Sequence, residues 1–292
     1  MASSEAEFPG SRNTSAWEGF KMFVWDSEKR AFLGRNSKSW FLITIFYIII
    51  YGCLAGFFLL SMYVFFRVGS DTIPTRIGYD SPMKNNPGMS FRPQPEVDST
   101  TIRFQQGVNE SYFKYTNSIT KFLDGYSAEK QKNNVDCSAG DKEPSEACHF
   151  NLADLGNACP APDYGFGEGQ PCVLVKLNKV YGWEPEMASN DSSLAPSQGA
   201  FFPDSIGITC EGTYDSDKEL VGPVEIYPKT GFPAHFFPYL NQEGYVSPLV
   251  FIRFTKPATD VTISVWCKAW AENIKHHRGD RAGSIVFHLH VE

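Results

Sequence analysis

No G-x-x-x-x-G-K-S/T phosphate loop occurs anywhere in the 292 residues, so nucleotide hydrolysis on that scaffold is excluded. There is no basic stripe either. The 26 lysines and arginines are outnumbered by 33 aspartates and glutamates, a net charge of −7, which argues against a nucleic-acid partner. No internal repeat is present, which excludes solenoids and propellers. The most telling absence is local. From Ser39 to Phe66 a run of 28 residues carries no charge at all, bounded by Lys38 and Arg67.

Catalytic constellations are missing as well. Ser127-Ala128-Glu129-Lys130 and Lys229-Thr230-Gly231 match the S-x-x-K and K-T-G elements of penicillin-binding proteins. The third element, S-x-N, does not occur between them, and the stretch "SAEKQKNN" is too polar to bury a nucleophile. Asp215-Ser216-Asp217 has the D-x-D form of a glycosyltransferase metal site, but its surroundings read as a turn and not as the end of a strand in a nucleotide-binding sheet. His288 and His290 alternate on one strand face, with Glu292 continuing it at the last residue, a position expected to fray; too few ligands converge for a metal. The sequence therefore predicts no catalytic residue, no metal and no cofactor.

What is present begins with the uncharged run. As a helix it would be about 42 Å long, more than the roughly 30 Å of a hydrocarbon core. Trp40 and Tyr63 near its two ends fit the aromatic belts of a bilayer. A cleaved signal peptide is a poor alternative, because the run starts 38 residues in and exceeds the usual apolar core of such peptides. Lys21, Lys29, Arg30, Arg35 and Lys38 precede it, against Arg67, Arg76 and Lys84 after it, which favours an N-terminus inside the cell. The expected organisation is a cytoplasmic tail over 1–38, a transmembrane helix over 39–66, an extracellular stalk over 67–109 and an ectodomain over 110–292.

Cysteines and sequons agree with this topology. Cys53 lies in the span, and Cys137, Cys148, Cys159, Cys172, Cys210 and Cys267 all lie beyond it, an even number where an oxidising compartment is expected. Six cysteines allow 15 connectivities, and arithmetic selects none of them. Asn109-Glu110-Ser111 and Asn190-Asp191-Ser192 are glycosylation sequons on the same side; Asn13-Thr14-Ser15 faces the cytoplasm and should stay bare. To Lys38 the net charge is +1, and over the rest it is −8, an acidic exterior.

Along the chain, "WEGFKMFVWDSEKRAFLGR" places aromatics just beneath the inner leaflet. Five prolines between Pro74 and Pro95 predict an extended stalk with little regular structure. Phe113, Thr116, Ile119 and Leu123 lie at helical spacing, predicting one short helix that ends near Gly125. From Cys172 the period becomes two: "CVLVKLNKV", "VEIY", "LVFIRF", "VTISVWCKAW" and "SIVFHLHVE" predict short strands of an antiparallel sandwich.

Within the span, Tyr47 and Tyr51 share one helical face, and Gly52 and Gly56 form a G-x-x-x-G ridge about 100–140° round from it. Small residues let another backbone approach in lipid, and hydroxyls favour a partner that offers an acceptor. The two stripes predict contact with other membrane helices.

The stretches "WDSEKRAFLGR" and "FYIIIYGCLAG" closely resemble the tail and span of the β subunits of the sodium/potassium-transporting ATPase. "DYGFGEGQPCVLVKLNKVYGW", "CEGTYDSDKELVGPVEIYP", "GFPAHFFPYL" and "CKAWAENI" resemble that family's ectodomain segments in the same order, so the likeness runs from about Trp17 to Glu292. Leu240 stands where the family usually has a second tyrosine. The resemblance implies a non-catalytic subunit that accompanies a separate ATP-hydrolysing α subunit, aids its folding, insertion and delivery to the plasma membrane, and tunes potassium handling. It further implies an immunoglobulin-like sandwich, the pairing Cys137–Cys148, Cys159–Cys172 and Cys210–Cys267, span contact with α through Tyr47 and Tyr51, and room for a small single-span regulatory subunit. The alternatives are the related β subunit of the proton/potassium pump and a stand-alone type II receptor or adhesion protein.

Overall fold

A computed structural model describes residues 16–26, 30–70, 72–78, 81, 86–96, 98–138, 142–187, 204–277 and 279–292. The chain divides into two compact units, Met1–Ser70 and Asp71–Glu292.

In the first unit, helix α1 (Ala16–Val24) leads into three two-residue strands, β1 (Trp25–Asp26), β2 (Ala31–Phe32) and β3 (Arg35–Asn36), which form one antiparallel sheet. The β2–β3 turn is Leu33-Gly34, with φ of 48° and 73°. Two positive φ values in a two-residue loop match the right-handed twist of a hairpin, and glycine adopts its value at no steric cost. Helix α2 (Ser37–Val68) follows at once. Its 32 residues are about 48 Å long, they contain the whole uncharged run, and none of them is buried. Among the described residues this is the one helix long and apolar enough to cross a membrane. Two of its hydroxyls are accommodated within the helix: Thr44 and Ser61 donate to the Trp40 and Phe57 carbonyls one turn back, at 2.9 and 2.8 Å.

The second unit is mostly strand. In chain order it contains β4 (Met89–Arg92), β5 (Thr101–Phe104), α3 (Asn109–Leu123), β6 (Cys172–Leu177), β7 (Ser205–Gly212), α4 (Asp215–Leu220), β8 (Val224–Tyr227), β9 (Phe232–Pro233), β10 (Leu249–Phe254), β11 (Thr262–Trp270) and β12 (Ser284–Val291). One sheet has the order β4-β6-β10-β8 and the other β5-β12-β11-β7-β9. All pairings are antiparallel except β5 on β12. The sheets meet through Phe91 of β4 and Phe254 of β10, whose rings lie 5.0 and 6.1 Å from that of Phe287 on β12.

Alternation explains β11 and β12, each with one face in the core and one part-exposed face of mixed polar and apolar residues. β6 and β10 instead open with four consecutive buried apolar residues, before Lys176 and Arg253, because both of their faces are covered there. The loops between α3 and β6 cover the outer face; the Tyr164 ring, for example, lies 6.1 Å from Phe251 of β10. Buried Gln131 ties these loops together, donating to the Tyr126 and Phe150 carbonyls at 2.6 and 3.1 Å and accepting from the Phe150 N–H at 2.8 Å.

Four sequence expectations change. The proline-rich segment over 67–109 holds two true strands, β4 and β5, one in each sheet. Pro93 and Pro95 lie just past β4, outside the ladder, where a missing N–H costs nothing. Helix α3 does form, but the face it buries is Tyr112, Tyr115, Thr116 and Ile119, while Phe113 is 59% exposed. Tyrosine wins the inward positions because its ring packs while its hydroxyl reaches a partner: Tyr115 OH accepts from the Arg103 N–H at 3.1 Å. A second helix, α4, accompanies α3. Glu292 does not fray, since its N–H donates to Phe104 and its carbonyl accepts from Gln106, at 2.9 and 2.7 Å.

Candidate functional site

On α2, Tyr47 and Tyr51 stand one turn apart with ring centroids 5.9 Å apart and planes 22° from parallel. Both are at least half exposed. Unlike Thr44 and Ser61, their hydroxyls have no hydrogen-bond partner among the described residues. At Gly52 and Gly56 an added Cβ would meet nothing within 4 Å. The helix thus presents one face of two stacked rings with free hydroxyls and, further round, a shallow groove where another backbone can approach closely. Cys53 beside this groove is a free, exposed thiol.

The second unit carries three disulfides. Cys137–Cys148 and Cys159–Cys172 have Cα atoms 5.5 and 6.0 Å apart. The first closes a loop whose ends already pair, Val135 N–H donating to Ala147 and His149 N–H to Val135, at 2.9 and 2.7 Å. The second fixes the loop covering the outer face to the first residue of β6. Cys210–Cys267 joins β7 to β11 inside one sheet. Antibody domains differ here, because their disulfide bridges the two sheets.

Asn109 is exposed as the first residue of α3, with the Ser111 hydroxyl bonded to the Val108 and Gln105 carbonyls at 2.7 and 3.0 Å. Asn190 and Asn13 lie outside the described residues.

The other tempting fragments have structural roles. Ser127 and Lys130 belong to one surface turn closed by Lys130 N–H to the Ser127 carbonyl at 3.0 Å. Gly231 of the K-T-G triplet has φ 83° at the entry to β9, and a Cβ there would run into the Ile206 carbonyl. In Asp215-Ser216-Asp217 the two carboxylates are separated in function. Asp217 is buried and accepts from the Tyr214 N–H at 3.3 Å, capping α4, whereas Asp215 points to solvent and pairs with Lys218 at 2.9 Å. That cap lets α4 sit against Gly212, where a Cβ would overlap the Asp217 carbonyl. His290 has both ring nitrogens engaged, Nδ1 with Thr262 Oγ1 at 3.0 Å and Nε2 with the Glu292 carboxylate at 3.3 Å, a carboxylate that Arg103 also binds. No group of three or more metal-ligating side chains exists among the described residues.

One cluster has no signature in the sequence. Lys179 Nζ lies 4.9 Å from the ring centroids of both Tyr239 and Tyr245, and the Tyr181 ring lies 4.9 Å from Tyr239. Burial lowers the Lys179 pKa and raises that of Tyr245. These residues are some 60 apart in the chain, so only the fold brings them together.

The sequence that folds into one exposed lipid-length helix and a disulfide-bonded two-sheet unit matches the family model for the sodium/potassium ATPase beta chain over residues 11–287. The chain belongs to that family. Sodium/potassium-transporting ATPase subunit beta-2 of Drosophila melanogaster is 33% identical, with 94% of this chain and 92% of the relative covered. Subunit beta-1 of Tetronarce californica is 33% identical over 93% and 95%. Subunit beta-2 of Homo sapiens is 31% identical over 94% of each chain. As a sodium/potassium ATPase beta chain, the protein has Tyr47, Tyr51 and the glycine groove on its apolar helix and all three disulfides in its strand-rich unit.

Proposed function

We propose that this chain is the non-catalytic β subunit of a sodium/potassium pump, working beside a separate multi-span α subunit that hydrolyses ATP. The family match over residues 11–287 carries the reading, and the sodium/potassium names of the Drosophila, Tetronarce and human relatives favour it over the proton/potassium pump. Residues 1–38 face the cytoplasm, 39–66 cross the plasma membrane, and the remainder is extracellular, glycosylated at Asn109 and Asn190.

The division of labour follows from chemistry. An α subunit that opens and closes around ions has outer loops it does not fully restrain. A stapled, acidic cap bonded through a span can restrain them, which supports folding, insertion and surface delivery of α and shifts its potassium affinity. Tyr47, Tyr51, Gly52 and Gly56 supply the contact within the membrane, leaving the rest of α2 to lipid or to a small regulatory subunit. Extraction in mild detergent and capture on this chain tests the proposal. Stoichiometric recovery of a multi-span P-type ATPase with potassium-dependent ATP hydrolysis supports it. Recovery of the folded, glycosylated chain alone would transfer the reading to a stand-alone receptor.

A further inference from the structure

Helix α1 exposes Trp17, Phe20 and Phe23 by 64%, 57% and 58%. At about 100° per residue these rings and Val24 fall within an arc of about 120°, with Lys21 beyond its edge. The rings of Trp17 and Phe20 stack at 5.9 Å. Trp25 and Phe32 on β1 and β2 and Leu33 in the hairpin turn are exposed too. Nothing within the described chain covers this aromatic surface.

Its position relative to α2 indicates the occupant. The Trp40 indole N–H donates to the Phe32 carbonyl at 2.8 Å, with the two rings 5.9 Å apart, and Arg35 donates to the Ser39 hydroxyl at 3.4 Å. Leu33 N–H donates to the Val24 carbonyl at 3.1 Å, which ties α1 to the same hairpin. The aromatic surface is therefore held at the first turns of a helix of membrane-spanning length, level with its belt tryptophan. Trp17, Phe20, Phe23, Trp25 and Phe32 are aromatic, the type that partitions into the headgroup layer. Residues 16–38 carry five basic and three acidic residues, complementary to an anionic leaflet.

We propose that α1 and the β1–β2–β3 sheet form an interfacial module that lies in the headgroup layer of the membrane crossed by α2, aromatic face toward the acyl chains and basic residues toward anionic lipid. The proposal rests on the reading that α2 crosses a membrane. The module fixes the height of the span, and with it the height at which Tyr47, Tyr51, Gly52 and Gly56 stand.

The test uses the full chain with Cys53→Ser and single cysteines introduced at Phe20, Lys21, Phe23 or Phe57, each carrying a nitroxide. The labelled chains go into nanodiscs of phosphatidylcholine with or without phosphatidylserine, and the ratio of oxygen to nickel-complex accessibility is read by spin relaxation. The labels at positions 20 and 23 should give a ratio several-fold above that at 21, rising when phosphatidylserine is included, and position 57 should give the highest. Equal, water-like ratios at 20, 21 and 23 with a lipid-like ratio at 57 would overturn the proposal and leave the span reading intact. Protection of 20 and 23 that appears only in the complex with a multi-span partner would assign the surface to protein and also overturn it. A water-like ratio at 57 would remove the span reading and this proposal together.

Discussion

Cys210 and Cys267 are directly opposed on the neighbouring strands β7 and β11, both buried, with Cα atoms 4.0 Å apart. The ladder on either side of the pair already fixes the two strands, so the bond acts mainly by restricting the unfolded chain across the 56 residues between them. Replacing both cysteines by serine should cost about 2–4 kcal/mol and lower the melting temperature of the second unit by about 5–15 °C. Thermal unfolding of the full chain in detergent, followed by near-ultraviolet dichroism, checks this. An unchanged midpoint would mean that the ladder alone carries the constraint.

Phe287 is fully buried where the two sheets meet, and Phe113 stands on the solvent side of α3. Phe287→Ala should therefore destabilise by about 3–5 kcal/mol, and Phe113→Ala by less than about 0.5 kcal/mol. Denaturant unfolding of the two variants side by side distinguishes this packing from one in which Phe113 faces the core.

Asp217 caps α4 and Asp215 reaches into solvent. Asp217→Ala should cost about 0.5–2 kcal/mol, and Asp215→Ala should leave stability unchanged. Manganese titration of the intact chain should give no heat at this pair. Saturable binding abolished by either substitution would restore the metal-site reading of the D-x-D triplet.

The span was legible because 28 consecutive residues without charge admit few other structures, and β10, β11 and β12 because β-branched and aromatic residues recur with the period of a strand. β4 and β5 were not: four residues each is too short a pattern to outweigh the prolines around them. β7, "SIGITCEG", was also missed, since its glycines read as turn when their real use at Gly212 is the close approach of α4. The face of α3 was misjudged because periodicity ranks Phe113 above Tyr112 and Tyr115, and only the fold supplies partners for tyrosine hydroxyls. The two stripes on α2 were readable from helical spacing. The cluster around Lys179 was not, because it depends on loops far apart in sequence.

His276 makes a 2.7 Å hydrogen bond through Nε2 to the Ala269 carbonyl and packs 4.6 Å from the Trp270 ring. Desolvation holds its pKa below the usual 6.5, Lys268 lowers it further, and the hydrogen bond only partly opposes them. His235 is lowered as well, by burial and by Lys142. As pH falls, the unfolded chain protonates these rings first, so their contribution is complete above the unfolded value of 6.5 and is lost as pH drops through it toward the depressed folded value. Stability should therefore fall as pH drops through 6.5, and His276→Gln, which keeps a donor for Ala269, should reduce that fall. Equal losses in the variant and the parent chain would show that this ring is not the source.

In the proposed complex, two faces of α2 engage a partner's helices while a third faces lipid. A benzophenone side chain introduced singly at Tyr47, Tyr51, Gly56 or Phe57, the last about 80° beyond the tyrosine pair on the side away from the glycines, tests it most directly. Irradiated in native membranes, positions 47, 51 and 56 should cross-link to one large multi-span ATPase, and position 57 chiefly to lipid. Cross-links at 47, 51 and 56 to a second copy of this chain, with no ATPase adduct, would make both faces a self-association surface and rule out the pump contact.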